Sequence, residues 1–203
     1  MSRQRFFNLA RSVHLYSSTS LFATLIFFCV TGFTLSHDWY LDESASDTSV
    51  RIPVPANIAN ALRPDNWSPD LDLLQEVVAN KAGLHSPRNI ELDQEYGEII
   101  MRFESPDGNA EALFSAQGIM VDMHRESWLT VLNNLHKNRN AGVIWSWFVD
   151  ISAIGMVLFA LTGLIIVFQN RRKRSQSLWV IGLGIATPFL FYFSFVPMLP
   201  GTP

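Results

Sequence analysis

Cysteine is almost missing from this chain of 203 residues; Cys29 is the single one. That excludes an internal disulfide and a Cys-x-x-Cys-His site for covalent haem. Inside an apolar run, a lone cysteine reads as a small packing residue. Also missing are a Gly-rich nucleotide loop, a His-Glu-x-x-His zinc site and a Gly-x-Ser-x-Gly elbow. With no flavin or nicotinamide domain, any reductase role needs an external electron donor. Acidic residues are missing from both ends: none precedes Asp38 and none follows Asp150. No basic patch is left on an aqueous segment, which speaks against nucleic-acid binding.

The ends carry instead long apolar runs and seven of the 15 Lys and Arg residues: Arg3, Arg5, Arg11, Arg171, Arg172, Lys173 and Arg174. A helix of roughly 20 mostly apolar residues crosses about 30 Å of hydrocarbon. Three stretches qualify, at about 12–36, 143–168 and 178–199. Basic residues in short flanking loops mark the cytoplasmic side. The reading is a multi-pass membrane protein with a cytoplasmic N-terminus. Between the first two spans, 17 of the 18 acids and eight bases leave a local charge of about −9. That segment is expected to face outward. Leu35-Ser36-His37-Asp38-Trp39 is not a small-x-small cleavage site, so the first span is read as an uncleaved anchor.

Six segments follow. Residues 1–37 hold the N-terminal cytoplasmic segment and the first span. Residues 38–126 form an extracytoplasmic α+β domain, and 127–142 an interfacial helix and turn. Residues 143–168 are the second span, 169–177 a basic cytoplasmic loop, and 178–203 the third span with a short outer tail. Trp39-Tyr40, Trp145 and Trp147 supply interfacial belts. Residues 38–49 read as a solvated linker, and Ile52-Pro53-Val54-Pro55 as extended chain. Leu71, Leu74, Val77 and Val78 give a helical face over 70–84, ended by Gly83. Strands are expected at 88–93, 98–104, 111–115 and 119–123, with turns at Pro106-Asp107-Gly108 and Gly118. One helix on a small antiparallel sheet is the economical fold. Ser127 caps a short helix with Trp128, Val131, Leu132 and Leu135 on its apolar face. Pro188 and Pro197 are expected to kink the third span. Val30-Thr31-Gly32-Phe33 and Leu161-Thr162-Gly163-Leu164 echo one another near the ends of oppositely directed spans, a pattern that suits close helix packing.

A set of short motifs, in order, carries a resemblance. Arg11-Ser12-Val13-His14 opens the first span, and Thr31-Gly32-Phe33 is followed by His37. Leu135-His136-Lys137 precedes the second span. Trp147-Phe148-Val149-Asp150 runs into Leu161-Thr162-Gly163-Leu164. The chain resembles the short PepSY-associated transmembrane helix family over nearly its whole length, and its middle is similar to a PepSY domain. The resemblance implies a bacterial inner membrane, with the domain in the periplasm. Larger relatives, with more spans, include haem proteins that reduce ferric siderophores.

Ionisable groups in or beside spans are costly and are read first for function. His37 and His136 both belong near the outer face, and a neutral imidazole ligates haem iron well. Taken with the resemblance, they are the candidate axial pair for one haem b, with Gly32 leaving room for the macrocycle. Lys137, Arg139 and Arg125 are candidate contacts for the propionates. The plain alternative is two wet interfacial histidines. His14 lies 23 residues before His37, about 34 Å along a helix and roughly 140° around it. It cannot share that haem; it either ligates a second one, with help from outside the chain, or is a snorkelling interfacial group. Asp150 reads as a histidine-orienting acceptor, a proton relay or a plain hydrogen-bond acceptor. His85 and His124 read as surface residues.

The leading expectation is a b-type haem protein that passes electrons at the periplasmic face, in ferric-siderophore or iron reduction. The rival is a non-enzymatic PepSY-type membrane partner or accessory subunit, its domain binding another membrane or periplasmic protein or a second copy, its spans in lipid. A transporter built around Asp150 is a third and weaker reading, because three spans are few for a substrate pathway.

Overall fold

The computed structural model describes residues 3–37, 45–170 and 172–197. Helix α1 (Arg3–Leu35) leads to strand β1 (Ser46–Ile52), then to the short helix α2 (Ala56–Ala61) and a 3-10 turn at Pro64–Asn66. Helix α3 (Leu71–Ala82) follows. Four strands come next: β2 (Asn89–Asp93), β3 (Glu98–Ser105), β4 (Gly108–Ser115) and β5 (Gly118–Arg125). Helices α4 (Trp128–His136), α5 (Gly142–Gln169) and α6 (Arg174–Phe195) complete the chain. Helices α1, α5 and α6 are long and apolar enough to cross a membrane. With the antiparallel sheet, they make this a membrane protein with an α+β part.

By contact the chain divides into two compact units, 26–149 and 1–25 with 150–203. In the first, the sheet runs β1-β5-β4-β3-β2 with every neighbour antiparallel. Alternate residues of the three central strands point to one face: Ile99, Met101 and Phe103, Ala112 and Phe114, Ile119 and Val121. Ile58, Leu62, Leu74 and Val78 cover that face and close the core. The Asp70 side chain caps α3 by accepting from Leu73 N at 3.1 Å, and Gly83 ends it in the left-handed region, as the sequence predicts.

The strand at Ser46–Ile52 replaces the expected linker over its last residues. Only Ile52 of its seven residues is buried, so it carries no apolar alternation to betray it. It pairs with β5 along its full length. Helix α2 is also new, and it brings Ile58 into the core. Pro188 lies inside α6, whereas Pro197 lies beyond its end and bends nothing. Trp39, Tyr40, Arg171 and the tail from 198 fall outside the described residues.

In the second unit, His14 meets Thr162 and Leu21 meets Gly155, so α1 and α5 run antiparallel. A Cβ at Gly155 would lie 3.0 Å from Leu21 Cδ1, so a side chain there would make the leucine tip give way. Helix α6 buries none of its residues.

Candidate functional site

Two of the polar groups buried in helices, Thr31 and Thr162, meet histidines. In the unit 26–149, Thr31 is 2 % exposed and lies on α1 facing α4. Its Oγ1 is 2.6 Å from Nδ1 of His136 and 2.7 Å from the Phe27 carbonyl. A hydroxyl has one proton, and here it goes back to Phe27 O, the habit of threonine in helices. With the proton placed there, Thr31 accepts from His136 and Nδ1 carries the imidazole proton. The Phe28 ring stands edge-on to the imidazole, with centroids 5.1 Å apart. Gly32 completes the surround: a Cβ there would lie 3.5 Å from His136 Cε1.

One turn along, Thr34 Oγ1 is 2.6 Å from Asn133 Oδ1. The next residue, Asn134, donates from Nδ2 to the carbonyl of Pro106 in the β3–β4 turn at 3.0 Å. Two successive asparagines thus tie α4 to α1 on one side and to the sheet on the other. Asn133 is 2 % exposed, and its Nδ2 finds no acceptor among the described groups. Trp145 Nε1 donates to the Leu135 carbonyl at 2.9 Å, which secures the start of α5 to the same helix.

His37 is placed differently. Its Nδ1 donates to the Phe33 carbonyl at 2.9 Å, and its ring stacks on Phe33 with centroids 4.3 Å apart. Phe33 is exposed and lies about 200° around α1 from Thr31, at roughly 100° per residue. The two rings expected to clamp one iron thus meet different residues of α1, Phe33 for His37 and Phe28, Thr31 and Gly32 for His136. No hydrogen bond or ring contact joins them among the described residues.

His14 belongs to the other unit. Its Nδ1 is 3.1 Å from the Phe159 carbonyl and 3.2 Å from Thr162 Oγ1. A carbonyl only accepts, so Nδ1 again carries the proton. The ring stacks on Phe159 at 4.6 Å, and Gly163 faces its Cε1. Asp150 is exposed on α5 and makes no hydrogen bond to a histidine among the described residues. Lys137 and Arg139 are exposed, and each spends its backbone N–H on the last turn of α4. Their side chains carry no ion pair among the described residues.

The sheet domain has its own cavity of about 380 Å³, lined among others by His85, Glu104, Asp107, His124 and Arg125. His124 is engaged on the sheet surface, with Nδ1 2.6 Å from Asp47 and Nε2 3.8 Å from Glu126. Hydrogen bonding to Asp47 raises its pKa, with Glu126 adding to the effect. Sequence reasoning missed Asn133, Asn134 and Thr34, whose partners lie far along the chain.

A family model described as "Putative PepSY_TM-like" matches residues 8–197. Neither the curated proteins nor the solved structures contain a match.

Proposed function

We propose that this chain, which belongs to the PepSY_TM-like family, is an inner-membrane b-type haem protein that transfers electrons at the periplasmic face, with His136 as an axial ligand. One observation carries the reading. His136 is held through Nδ1 by Thr31, and Nε2 makes no hydrogen bond among the described residues. An imidazole held at one nitrogen and open at the other is the form that ligates iron. Carrying an imidazole beside a span has a cost, which a ligand role would offset.

The residues fit haem singly rather than as a pair. His136 suits one axial position. The opposite position is not assigned to His37, because its ring is engaged with Phe33 through stacking and the Nδ1 hydrogen bond. In this reading a second copy or a partner subunit supplies that ligand. Lys137 and Arg139, exposed and free of ion pairs among the described residues, are available to anionic groups near His136. Bound haem would supply one-electron exchange at iron, and the chain would supply position and surroundings. The acceptor in this proposal is a ferric compound in the periplasm.

The test is an absorbance spectrum of the solubilised full chain expressed with ample haem. A reducible Soret band is expected, lost in His136→Ala and kept in His37→Ala. A colourless preparation removes the proposal. A band lost equally in both variants would restore the His37–His136 pair.

A second reading, an accessory subunit without a cofactor, is favoured by the paired asparagines of α4. They fix the sheet domain to α1, as suits a docking module held at a set attitude. In that case the colourless protein would purify with a membrane or periplasmic partner at fixed stoichiometry.

A further inference from the structure

Two places in this chain share a local sequence and a local geometry. Phe28-x-x-Thr31-Gly32 surrounds His136, and Phe159-x-x-Thr162-Gly163 surrounds His14. In each, positions i, i+3 and i+4 fall on one helix face. In each, the phenylalanine ring meets the imidazole. In each, the threonine hydroxyl returns its proton to its own helix, to Phe27 O at 2.7 Å or Leu158 O at 2.8 Å. It then faces Nδ1 as an acceptor. In each, the glycine lies against Cε1. The seats lie on α1 and α5, and α5 seats the histidine of α1. The occupants are carried differently, His14 within α1 itself and His136 on α4.

We infer that Phe-x-x-Thr-Gly is a histidine seat used twice, and that Thr31 and Thr162 are positioning residues holding His136 and His14 as Nδ1–H tautomers with Nε2 presented for a ligand. The ligand class is an electron-pair acceptor, haem iron or a divalent metal ion. Pointing Nε2 at such a ligand gives the inference its use within the proposed function and rests on that reading. The seats themselves do not. Two occurrences argue against chance packing. Helix fastening alone would need neither a repeated aromatic nor a glycine at the imidazole edge.

The seats differ in ways that sharpen the test. His14 has a second acceptor, the Phe159 carbonyl at 3.1 Å, whereas among the described residues His136 has Thr31 alone. Losing the hydroxyl should therefore matter more at Thr31. A Cβ at Gly163 would lie 3.1 Å from His14 Cε1, and one at Gly32 only 3.5 Å from His136 Cε1. Alanine should therefore disturb position 163 more than position 32.

The experiment is 15N imidazole NMR on the cofactor-free full chain in lipid nanodiscs, above the range where imidazole protonates. Wild type should show both histidines as single Nδ1–H tautomers. Thr31→Val should turn the His136 signal into a tautomer mixture, Thr31→Ser should restore it, and Thr162→Val should change His14 only weakly. Mixed tautomers in wild type, or protonation at Nε2, overturn the inference. So does a His136 signal indifferent to Thr31→Val. Should Thr31→Val not fold, wild type and Thr31→Ser decide. Titration with haem and with Zn²⁺ then separates the ligand sources by shifts at Nε2. Fixed tautomers in a chain that binds neither would leave the seats standing and remove the ligand role.

Discussion

His124 donates from Nδ1 to Asp47 across the β1–β5 ladder, where the two residues are register partners. The charged imidazole is favoured there, so its folded pKa stands above the ordinary 6.5. A raised folded value means the pair supports β1 fully below the unfolded pKa. That support is lost as pH rises through the folded pKa. In an NMR titration the His124 midpoint should lie above 6.5, and Asp47→Asn should lower it. An unmoved midpoint in that variant would exclude the pair as the cause. The site is exposed, so the effect belongs to strand attachment more than to overall stability. His124 was legible in the sequence only as a surface residue. Its partner sits in a stretch too polar to read as a strand.

Helix α4 works as a fastener, and its two sides are separable. Asn134→Ala removes the bond to Pro106 O and should cost about 1 kcal/mol. Amide exchange should quicken in the β3–β4 turn while the His136 signal stays put. If His136 moves as well, α4 responds as one body. The sequence showed this helix, its Ser127 cap and its apolar side, because capping and 3.6-residue periodicity are local. It could not show why two asparagines sit mid-helix, since the reasons lie 28 and 99 residues away. Strands β3 to β5 were readable for the same local reason: their buried residues alternate. Helix α2 was not, although Ile58 and Leu62 stand four apart. Six residues between prolines and a 3-10 turn give little period to detect. The Thr-Gly echo was visible in α1 and α5, and Phe28 and Phe159 lie at matching positions. What each echo holds depends on long-range contact.

At the scale of the molecule, three apolar helices and an acidic sheet domain follow directly from charge and hydropathy. The orientation expected from the positive ends puts the sheet domain outside the cytoplasm. An alkaline phosphatase reporter inserted within the turn Pro64–Asn66 should therefore be active. A silent phosphatase there, with an active cytoplasmic reporter at the same point, would invert that orientation. The histidine pairing was the part that sequence could least supply. Counting residues put His37 and His136 near one membrane face, but their separate partners, Phe33 for one and Thr31 for the other, needed the fold.

Strand β1 has a last consequence. Ser46 and Arg125 are register partners at the rim of the sheet. The polypeptide therefore enters and leaves this domain through adjacent strands, about 5 Å apart. A fold whose ends meet behaves as a cassette. A short linker from one end to the other should therefore close the gap that its excision leaves.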